Sequence, residues 1–535
     1  MTKEISNVET GLVIYAKRFF SGTLLSRISG MGRDLMMAYA FGDHPSVAAF
    51  MVAFRLSNLF RRLLGEGPLQ SAFIPYFEGL RVQDSAKATD FFRKLIGFIT
   101  VLLVFLIVIV EVALFSILSF CNLSEGSVEI LLLSSLLFPG LLFICLYGFN
   151  ISLLNCYDSF FIPSIAPLIC NVIWILAALF LMNLDTTVAM NHLAKWVVVG
   201  YLGQWLFTLP LTLRFVSSFW KDWFSIRFSS EIKSLVKSFS LGAIGVGAMQ
   251  INAFADAVFA RYADIRGPIY LWYSIRLEQL ALAIFGILCI STVTPSLSRA
   301  IKSNQMDFAK NLFSLSYKRI IIILTPCTFA MLALGLSGVN LLYGYGNFSE
   351  TAVYKTAYCL FAYALSLLPS VFIMLYSAIY YAKGNFHTPM ILSVLSVIIN
   401  LILNAVFVFI FQFGAISTAI ATSIAAWINC FLLFQRVDQM GWKTEFSLSR
   451  IFGVVCASLF AFVVTVGADH FLFGIGLLSQ NLPLDLSTKM ICFSVEAVVF
   501  LFGFLCYAVL LRNNDILDLV RQMTNTHAKC SPSQN

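Results

Sequence analysis

Residues 451–466 read IFGVVCASLFAFVVTV, and residues 102–118 read LLVFLIVIVEVALFSIL. Both stretches are apolar around the helix, whereas a strand of a membrane barrel alternates apolar and polar side chains. About fourteen such runs occur along the chain, each close to the ~20 residues that cross a bilayer. The sequence therefore predicts an all-α polytopic membrane protein with about fourteen transmembrane helices.

The overall composition supports this fold class. Of the 535 residues, 59% are hydrophobic and 12% are charged, and the mean hydropathy is +0.87. Soluble proteins carry about 25% charged residues, so roughly half of the usual charge is missing. This composition excludes a soluble enzyme, a DNA-binding protein and a single-span receptor. The polar first ten residues also predict that there is no cleavable signal peptide.

Charge placement predicts the orientation of the spans. We place them at residues 12–42, 48–79, 92–120, 128–153, 162–182, 195–216, 236–262, 268–300, 310–336, 353–381, 388–412, 414–436, 451–473 and 488–511. If the N-terminus is cytoplasmic, the cytoplasmic segments hold 24 Lys and Arg residues and the outer segments hold 5. The positive-inside rule then places both termini in the cytoplasm. The net charge of +8 reports orientation, so we expect no nucleic-acid partner.

Six arginines remain inside the predicted spans: Arg27, Arg33, Arg55, Arg61, Arg62 and Arg276. An arginine at the bilayer centre costs about 2.5–3.5 kcal/mol, so six facing lipid would cost about 15–20 kcal/mol. We therefore expect them to face protein or a water-filled cavity. The nearby carboxylates are Asp34 and Glu66, and Arg62 with Glu66 is an i, i+4 pair that favours a structural role.

The arginine excess predicts an anionic ligand. Arg27, Arg33 and Arg61 outnumber the acids near them, and Arg276 is a lone cation in the second half of the chain. Guanidinium groups bind phosphate bidentately, so a pyrophosphate is the expected ligand of this cavity. The alternatives are that these arginines pair with acids or backbone carbonyls, and that Arg276 pairs with Gln279.

Two landmarks indicate an internal repeat. Pro75 and Pro295 end the second and eighth spans, and Pro163 and Pro389 end two similar short loops, at offsets of 220 and 226 residues. We therefore predict two six-helix lobes around a central cationic cavity, as in alternating-access transporters. The predicted domains are residues 1–235, residues 236–440, a two-helix segment at 441–512 and a cytoplasmic tail at 513–535. The two extra helices have almost uncharged interiors, which fits either a stabilising hairpin or a groove for an apolar tail.

The energy source is left open between an ion and the membrane potential. The chain contains no P-loop motif, and its cysteines and histidines have no metal-like spacing, so no cofactor and no firm metal site are expected. Oxygen ligands for a coupling cation could come from the second lobe: Asp256, Asn400, Asn404 and Thr422. Their alternative role is hydrogen bonding between neighbouring helices.

Three motifs of the first two predicted spans stand out, namely SRISGMGRD at residues 26–34, VAFRLSNLFRRLLGEG at 52–67 and QSAFIP at 70–75. They resemble motifs of the MurJ (MviN) family of lipid II flippases, in the multidrug/oligosaccharidyl-lipid/polysaccharide exporter superfamily. Looser matches follow at residues 273–277, 295–298, 343–348 and 388–389, so the resemblance covers about four fifths of the chain.

The resemblance implies a fourteen-helix fold of two lobes in the bacterial inner membrane. It implies movement of lipid II, the undecaprenyl-pyrophosphate-linked peptidoglycan precursor, from the cytoplasmic to the outer leaflet. By position, Arg27, Arg33, Arg61 and Arg276 match the substrate-binding arginines and Glu66 a cavity carboxylate. Asp34, Arg55 and Arg62 are expected to set cavity charge or gating. Expected partners are lipid II, membrane lipids and cell-wall synthesis proteins.

Three other functions stay open at this point. The chain could export another lipid-linked oligosaccharide, it could be an ion-coupled drug exporter of the same superfamily, or it could be a membrane scaffold without transport. An exporter of cationic drugs would need acidic cavity residues, which the arginines disfavour. No covalent step is required by the predicted transport, so we do not expect an enzyme.

The predicted orientation can be tested with a fluorescent protein that matures only in the cytoplasm. Fused to either terminus, it should fluoresce, because the basic loops hold both ends on the cytoplasmic side. A well-expressed but dark fusion at one terminus would contradict an even number of spans with this orientation.

Overall fold

The chain folds into α-helices, two short π-helical segments and connecting turns. The computed structural model describes residues 2–65, 68–216, 230–442, 448–473, 482, 485–511 and 516–517, and no strand occurs among them. In this part of the chain, nine helices are long and apolar enough to cross a membrane. The number is ten if two helices that meet at a bend of 44° form one span. The predicted all-helical membrane fold is confirmed, and a count of fourteen spans is consistent with these helices.

Two compact units divide the chain, residues 1–258 and residues 259–535. The first unit contains α1 (Thr2–Phe41), α2 (Pro45–Leu64), α3 (Pro68–Gln83), α4 (Ser85–Phe120), α5 (Glu125–Leu137), α6 (Gly140–Cys156), α7 (Phe161–Ile165), α8 (Pro167–Leu181), α9 (Thr186–Phe215) and most of α10 (Ser230–Ala263). The division falls inside α10. The predicted domain boundaries at 235/236, 440/441 and 512/513 stay predictions.

The second unit continues from the end of α10. It contains α11 (Gly267–Ala281), a π-helical segment (Leu282–Ile287), α12 (Leu288–Lys302), α13 (Met306–Tyr343), α14 (Glu350–Ala382), α15 (His387–Ala405), a second π-helical segment (Val406–Ile410), α16 (Ile416–Gln439), α17 (Leu448–Phe473) and α18 (Leu486–Leu510). α14 packs against α11, α13 and α16, while α17 and α18 pack against each other and against α13.

A short turn sets the start of the second helix. Gly42, with a φ of 58°, ends α1 in the left-handed region that glycine adopts without strain. The His44 side chain then accepts a hydrogen bond from the Ser46 backbone N–H at 3.2 Å, and Pro45 occupies the first turn of α2. The first half of α2 is buried from Ser46 to Phe54, whereas its last turn is only partly buried. The arginines of α2 therefore lie on its less buried half.

The packing of α1, α2 and α6 fixes the position of the second half of α2. α1 packs along α7 and α8, and α2 packs on α5 and α9. α6 crosses the end of α2, where a methyl group on Gly148 would lie 2.0 Å from the Gly65 carbonyl oxygen. A methyl group on Gly65 would in turn lie 3.1 Å from the Cα of Cys145. The two backbones touch because both positions lack a side chain.

Replacing Gly148 with alanine should destabilise the protein by about 1–3 kcal/mol, because the obstructing atom is a backbone oxygen that cannot rotate away. Thermal unfolding of the purified protein in detergent measures the effect. Gly79→Ala is the matched control: nothing lies within 4 Å of its added methyl group, so the melting temperature should be unchanged or slightly higher. Equal melting temperatures for the two variants would contradict the close crossing.

Candidate functional site

Arg33 is the best-defined arginine of the first unit, with a side chain only 13% exposed. Its Nη2 and Nε donate to Oδ1 of Asp34 at 2.8 and 3.1 Å, and its Nη1 donates to Oδ1 of Asn171 at 3.2 Å. Its Cζ atom also lies 4.7 Å from the ring centre of Trp174. A carboxylate, an amide and an aromatic face together hold this cation and connect α1 to α8.

The partners of Arg33 are themselves fixed. The Asn171 amide donates to Oγ of Ser29 at 2.9 Å and to the Ser26 carbonyl at 3.3 Å, back on α1. The Trp174 ring packs edge-on against Phe50 and Phe54 of α2, at 5.6 and 5.1 Å between ring centres. One residue pair on α8 thereby joins α1 and α2.

Arg61 belongs to the same region. It is half-buried near the end of α2, and both Arg61 and Arg33 lie close enough to Cys170 of α8 to act on its thiol electrostatically. Arg55, two turns earlier in α2, donates through Nη1 to the Ala253 carbonyl of α10 at 2.9 Å. Arg33, Arg55 and Arg61 therefore contact or approach neighbouring helices of the first unit.

Arg27 and Arg62 differ from these three because their side chains are exposed. Arg27 makes neither a hydrogen bond nor an ion pair with any residue that the structure describes. Glu66 lies outside the described residues, so its predicted pairing with Arg62 stays a prediction.

Arg276 of the second unit is half-buried on α11. Its Cζ atom lies 4.6 Å from the ring centre of Trp272, one turn earlier on the same helix. Glu278, two residues further on, is buried. An aromatic ring therefore covers one face of this guanidinium group, a contact that the sequence analysis did not consider.

The residues predicted to hold a coupling cation form hydrogen bonds within each unit. In the second unit, the amide of Asn404 donates to Asn400 at 2.9 Å, and the amide of Asn400 donates to Thr422 at 3.1 Å. In the first unit, Asn252 donates to Asp256 at 3.4 Å, one turn apart on α10. The bond between Asn400 and Thr422 joins α15 to α16, as the alternative of helix-to-helix bonding expects, whereas the other two bonds lie within one helix.

Asn171 and Trp174 are the site residues that the sequence analysis missed. Both lie in a span that is otherwise apolar, three residues apart and hence on one face of α8. An amide inside a membrane span costs free energy if it forms no hydrogen bond, so Asn171 could have been recognised in the sequence as a residue that needs a partner. Its partner could not be read from the sequence, because Arg33 lies 138 residues earlier.

Comparison with known proteins supports the family resemblance that the sequence motifs indicated. The family model described as Lipid II flippase MurJ matches residues 37–485. A protein of Chlamydia trachomatis serovar D named probable lipid II flippase MurJ is 34% identical over 393 residues, which cover 73% of this chain and 72% of that protein. A protein of the same name from Chlamydia pneumoniae is 29% identical over 514 residues, covering 93% and 92%.

Solved structures show the same fold. A lipid II flippase MurJ in an inward closed conformation superposes with a TM-score of 0.73 at 20% identity, covering 92% of this chain and 99% of that one. An inward-facing multidrug resistance MATE family transporter of the MOP superfamily superposes with a TM-score of 0.62 at 14% identity, covering 80% and 99%. The chain therefore has the fold that these two solved structures share.

The matches at the level of sequence identify the family to which the chain belongs. The family model covers well over half of the chain, and the 34% identical relative matches over more than two thirds of both chains. The chain belongs to the lipid II flippase MurJ family, as its motifs predicted.

The arrangement around Arg33 predicts an interaction between substitutions. Asp34→Ala should destabilise the protein by about 3–5 kcal/mol, because it leaves a buried guanidinium group without its carboxylate. The double variant Arg33→Ala with Asp34→Ala should recover part of this loss. Thermal unfolding in detergent of the single variants Arg33→Ala and Asp34→Ala and of the double variant measures these effects. Arg27→Ala, at an exposed position, serves as the control and should change stability by about 0.5 kcal/mol or less. Strictly additive effects of the two substitutions would contradict the pairing.

Proposed function

We propose that this chain is a lipid II flippase, which moves the undecaprenyl-pyrophosphate-linked peptidoglycan precursor from the cytoplasmic to the outer leaflet of the inner membrane. The observation that carries the proposal is the group of five arginines on α1 and α2 of the first unit, among which Arg33 and Arg61 both lie near Cys170 of α8. Relatives named probable lipid II flippase MurJ, one of them 34% identical, support the same cargo.

The chemistry of the arginines fits a pyrophosphate. A guanidinium group has five N–H donors, and three hydrogen bonds hold Arg33 to Asp34 and Asn171. Two N–H groups of Arg33 are left without a partner among the described residues, so it can hold its position and still donate to a ligand. Arg61 lies in the same region, and Arg27 is exposed six residues before Arg33. We assign these three arginines to the headgroup, and Arg276 stays a predicted substrate-binding residue of the second unit.

The charge balance favours an anionic cargo over a cationic drug. Between residues 27 and 66, five arginines stand against three acidic residues, so this stretch of α1 and α2 carries a net positive charge. A positive site in a medium of low dielectric attracts phosphate strongly and repels a cation. Another lipid-linked oligosaccharide with a pyrophosphate would satisfy the same groups and is therefore the competing cargo.

The proposed mechanism is alternating access without a covalent step, so the protein is a transporter and not an enzyme. The arginines capture the headgroup from the cytoplasmic side while the isoprenoid chain stays in lipid or against α17 and α18. Motion of the two lobes then exposes the headgroup to the outside, where weakened contacts release it. The membrane potential or a cation bound near Asp256 or near Asn400, Asn404 and Thr422 supplies the driving force.

The chain is a multi-pass protein of the inner membrane. We propose in addition that both termini are cytoplasmic and that cell-wall synthesis proteins receive the flipped lipid. The basic cytoplasmic segments support the orientation.

Flipping of labelled lipid II in liposomes that contain only this protein tests the proposal. The wild-type protein should flip lipid II, and the separate variants Arg27→Ala, Arg61→Ala and Arg276→Ala should each lose about tenfold or more, since each removes a charged hydrogen-bond donor.

Arg299→Ala is the matched control, because Arg299 is exposed in the last turn of α12 and should be dispensable for flipping. Melting temperatures confirm that each variant is folded. Transport of drugs or of another lipid-linked sugar but not of lipid II would reject the proposed cargo. Wild-type rates in all three arginine variants would reject the proposed site.

A further inference from the structure

The last two helices each carry one acidic residue to which the sequence analysis assigned no role, Asp469 in α17 and Glu496 in α18. The two carboxyl groups lie within hydrogen-bonding distance of each other, although the residues are separated by 27 positions in the chain. A Ser337 hydroxyl of α13 donates to Oε2 of Glu496. Three helices of the second unit therefore meet at this pair.

Glu496 is buried inside the helix packing, and Asp469 is half-buried. Glu496 is only 2% exposed, and it lies ten residues into α18, about 15 Å along the axis from Leu486. That distance is about half of the ~30 Å hydrocarbon thickness. α13 and α18 pack closely here, because a methyl group on Gly338 would lie 3.4 Å from the Phe493 ring.

Two oxygen atoms of the pair are buried without a donor. Oε1 of Glu496 and Oδ1 of Asp469 receive no hydrogen bond from any described residue. Two carboxylates at this distance repel each other, and in a medium of low dielectric the repulsion is too large for both to stay ionised. Something positive must lie between them.

The basic groups near the pair on α17 and α18 are engaged elsewhere or exposed. Lys489 of α18 turns away, since its Nζ donates to the Gly344 carbonyl at 2.5 Å and lies 3.9 Å from the Tyr345 ring centre. His470 of α17 follows Asp469 in the chain, and its side chain is exposed. Cys492 of α18 is an uncharged thiol one turn before Glu496.

Two hydroxyl groups on these helices already donate hydrogen bonds, one to a backbone carbonyl and one to Glu496. Thr465 of α17 donates to the Ala461 carbonyl at 2.8 Å, and Ser337 is the polar neighbour from α13. No group of three or more His, Cys, Asp or Glu side chains in the described residues is arranged to hold a metal ion. A proton needs only the two facing carboxyl groups.

We propose that Asp469 and Glu496 bind one proton between them, so that α17 and α18 carry a protonatable site outside the arginine site. The proton converts one carboxylate into a hydrogen-bond donor to the other and leaves the pair with a single negative charge. Binding and release move only this proton, from or to water. The proposal does not depend on the identity of the cargo.

Infrared spectroscopy of the purified full-length protein at neutral pH tests the proposal through the absorption of protonated carboxyl groups. The wild-type protein should show this band, and Glu496→Gln and Asp469→Asn should each reduce it by the contribution of one protonated carboxyl group. Both amides can donate to the remaining carboxylate, so both variants should fold. Glu125→Gln, at an exposed carboxylate in the first turn of α5, is the control and should leave the band unchanged.

The melting temperature gives a second readout. Because the folded state holds a proton that the unfolded state releases, stability should fall as pH rises through the point where the pair ionises. This part of the pH dependence should be absent in Glu496→Gln. A wild-type protein without the band, a band of unchanged intensity in both variants, or a loss of the pair's contribution when sodium replaces potassium would overturn the proposal.

Discussion

The cost of a charged side chain at membrane depth is the constraint on which this structure depends. An unpartnered arginine there costs several kcal/mol, so each one must find protein or water. Arg33 shows how the chain meets this constraint, with Asp34, Asn171 and Trp174 around a single guanidinium group. The same contacts hold α1 against α8, so the charge that a ligand would use also organises the helices that carry it.

The constraint also separates two kinds of charged site in the chain. In the first unit, positive groups exceed the acids around them, which suits an anionic ligand that arrives and leaves. In the second unit, Asp469 and Glu496 form an acidic pair that can share a single proton. The first site therefore suits a large anionic headgroup, and the second suits a proton.

The fold class and the family could be predicted from the sequence because both depend on local patterns. Apolar runs near 20 residues identify helices, and the motifs around Arg27, Arg33 and Arg61 are continuous in the chain. Contacts between distant residues could not be predicted in this way. Asn171 meets Arg33 across 138 residues, and Gly148 reaches the Gly65 carbonyl because two helices cross there. The acidic pair was missed for the same reason, since Asp469 and Glu496 look unremarkable on separate helices.

Equilibrium binding of lipid II to the purified protein, measured by native mass spectrometry, tests the central claim most directly. If the arginines of α1 and α2 hold the pyrophosphate, Arg61→Ala should weaken binding by about tenfold or more, and added pyrophosphate should compete with the lipid. Equal affinities of the wild-type and Arg61→Ala proteins, with no competition by pyrophosphate, would contradict the account.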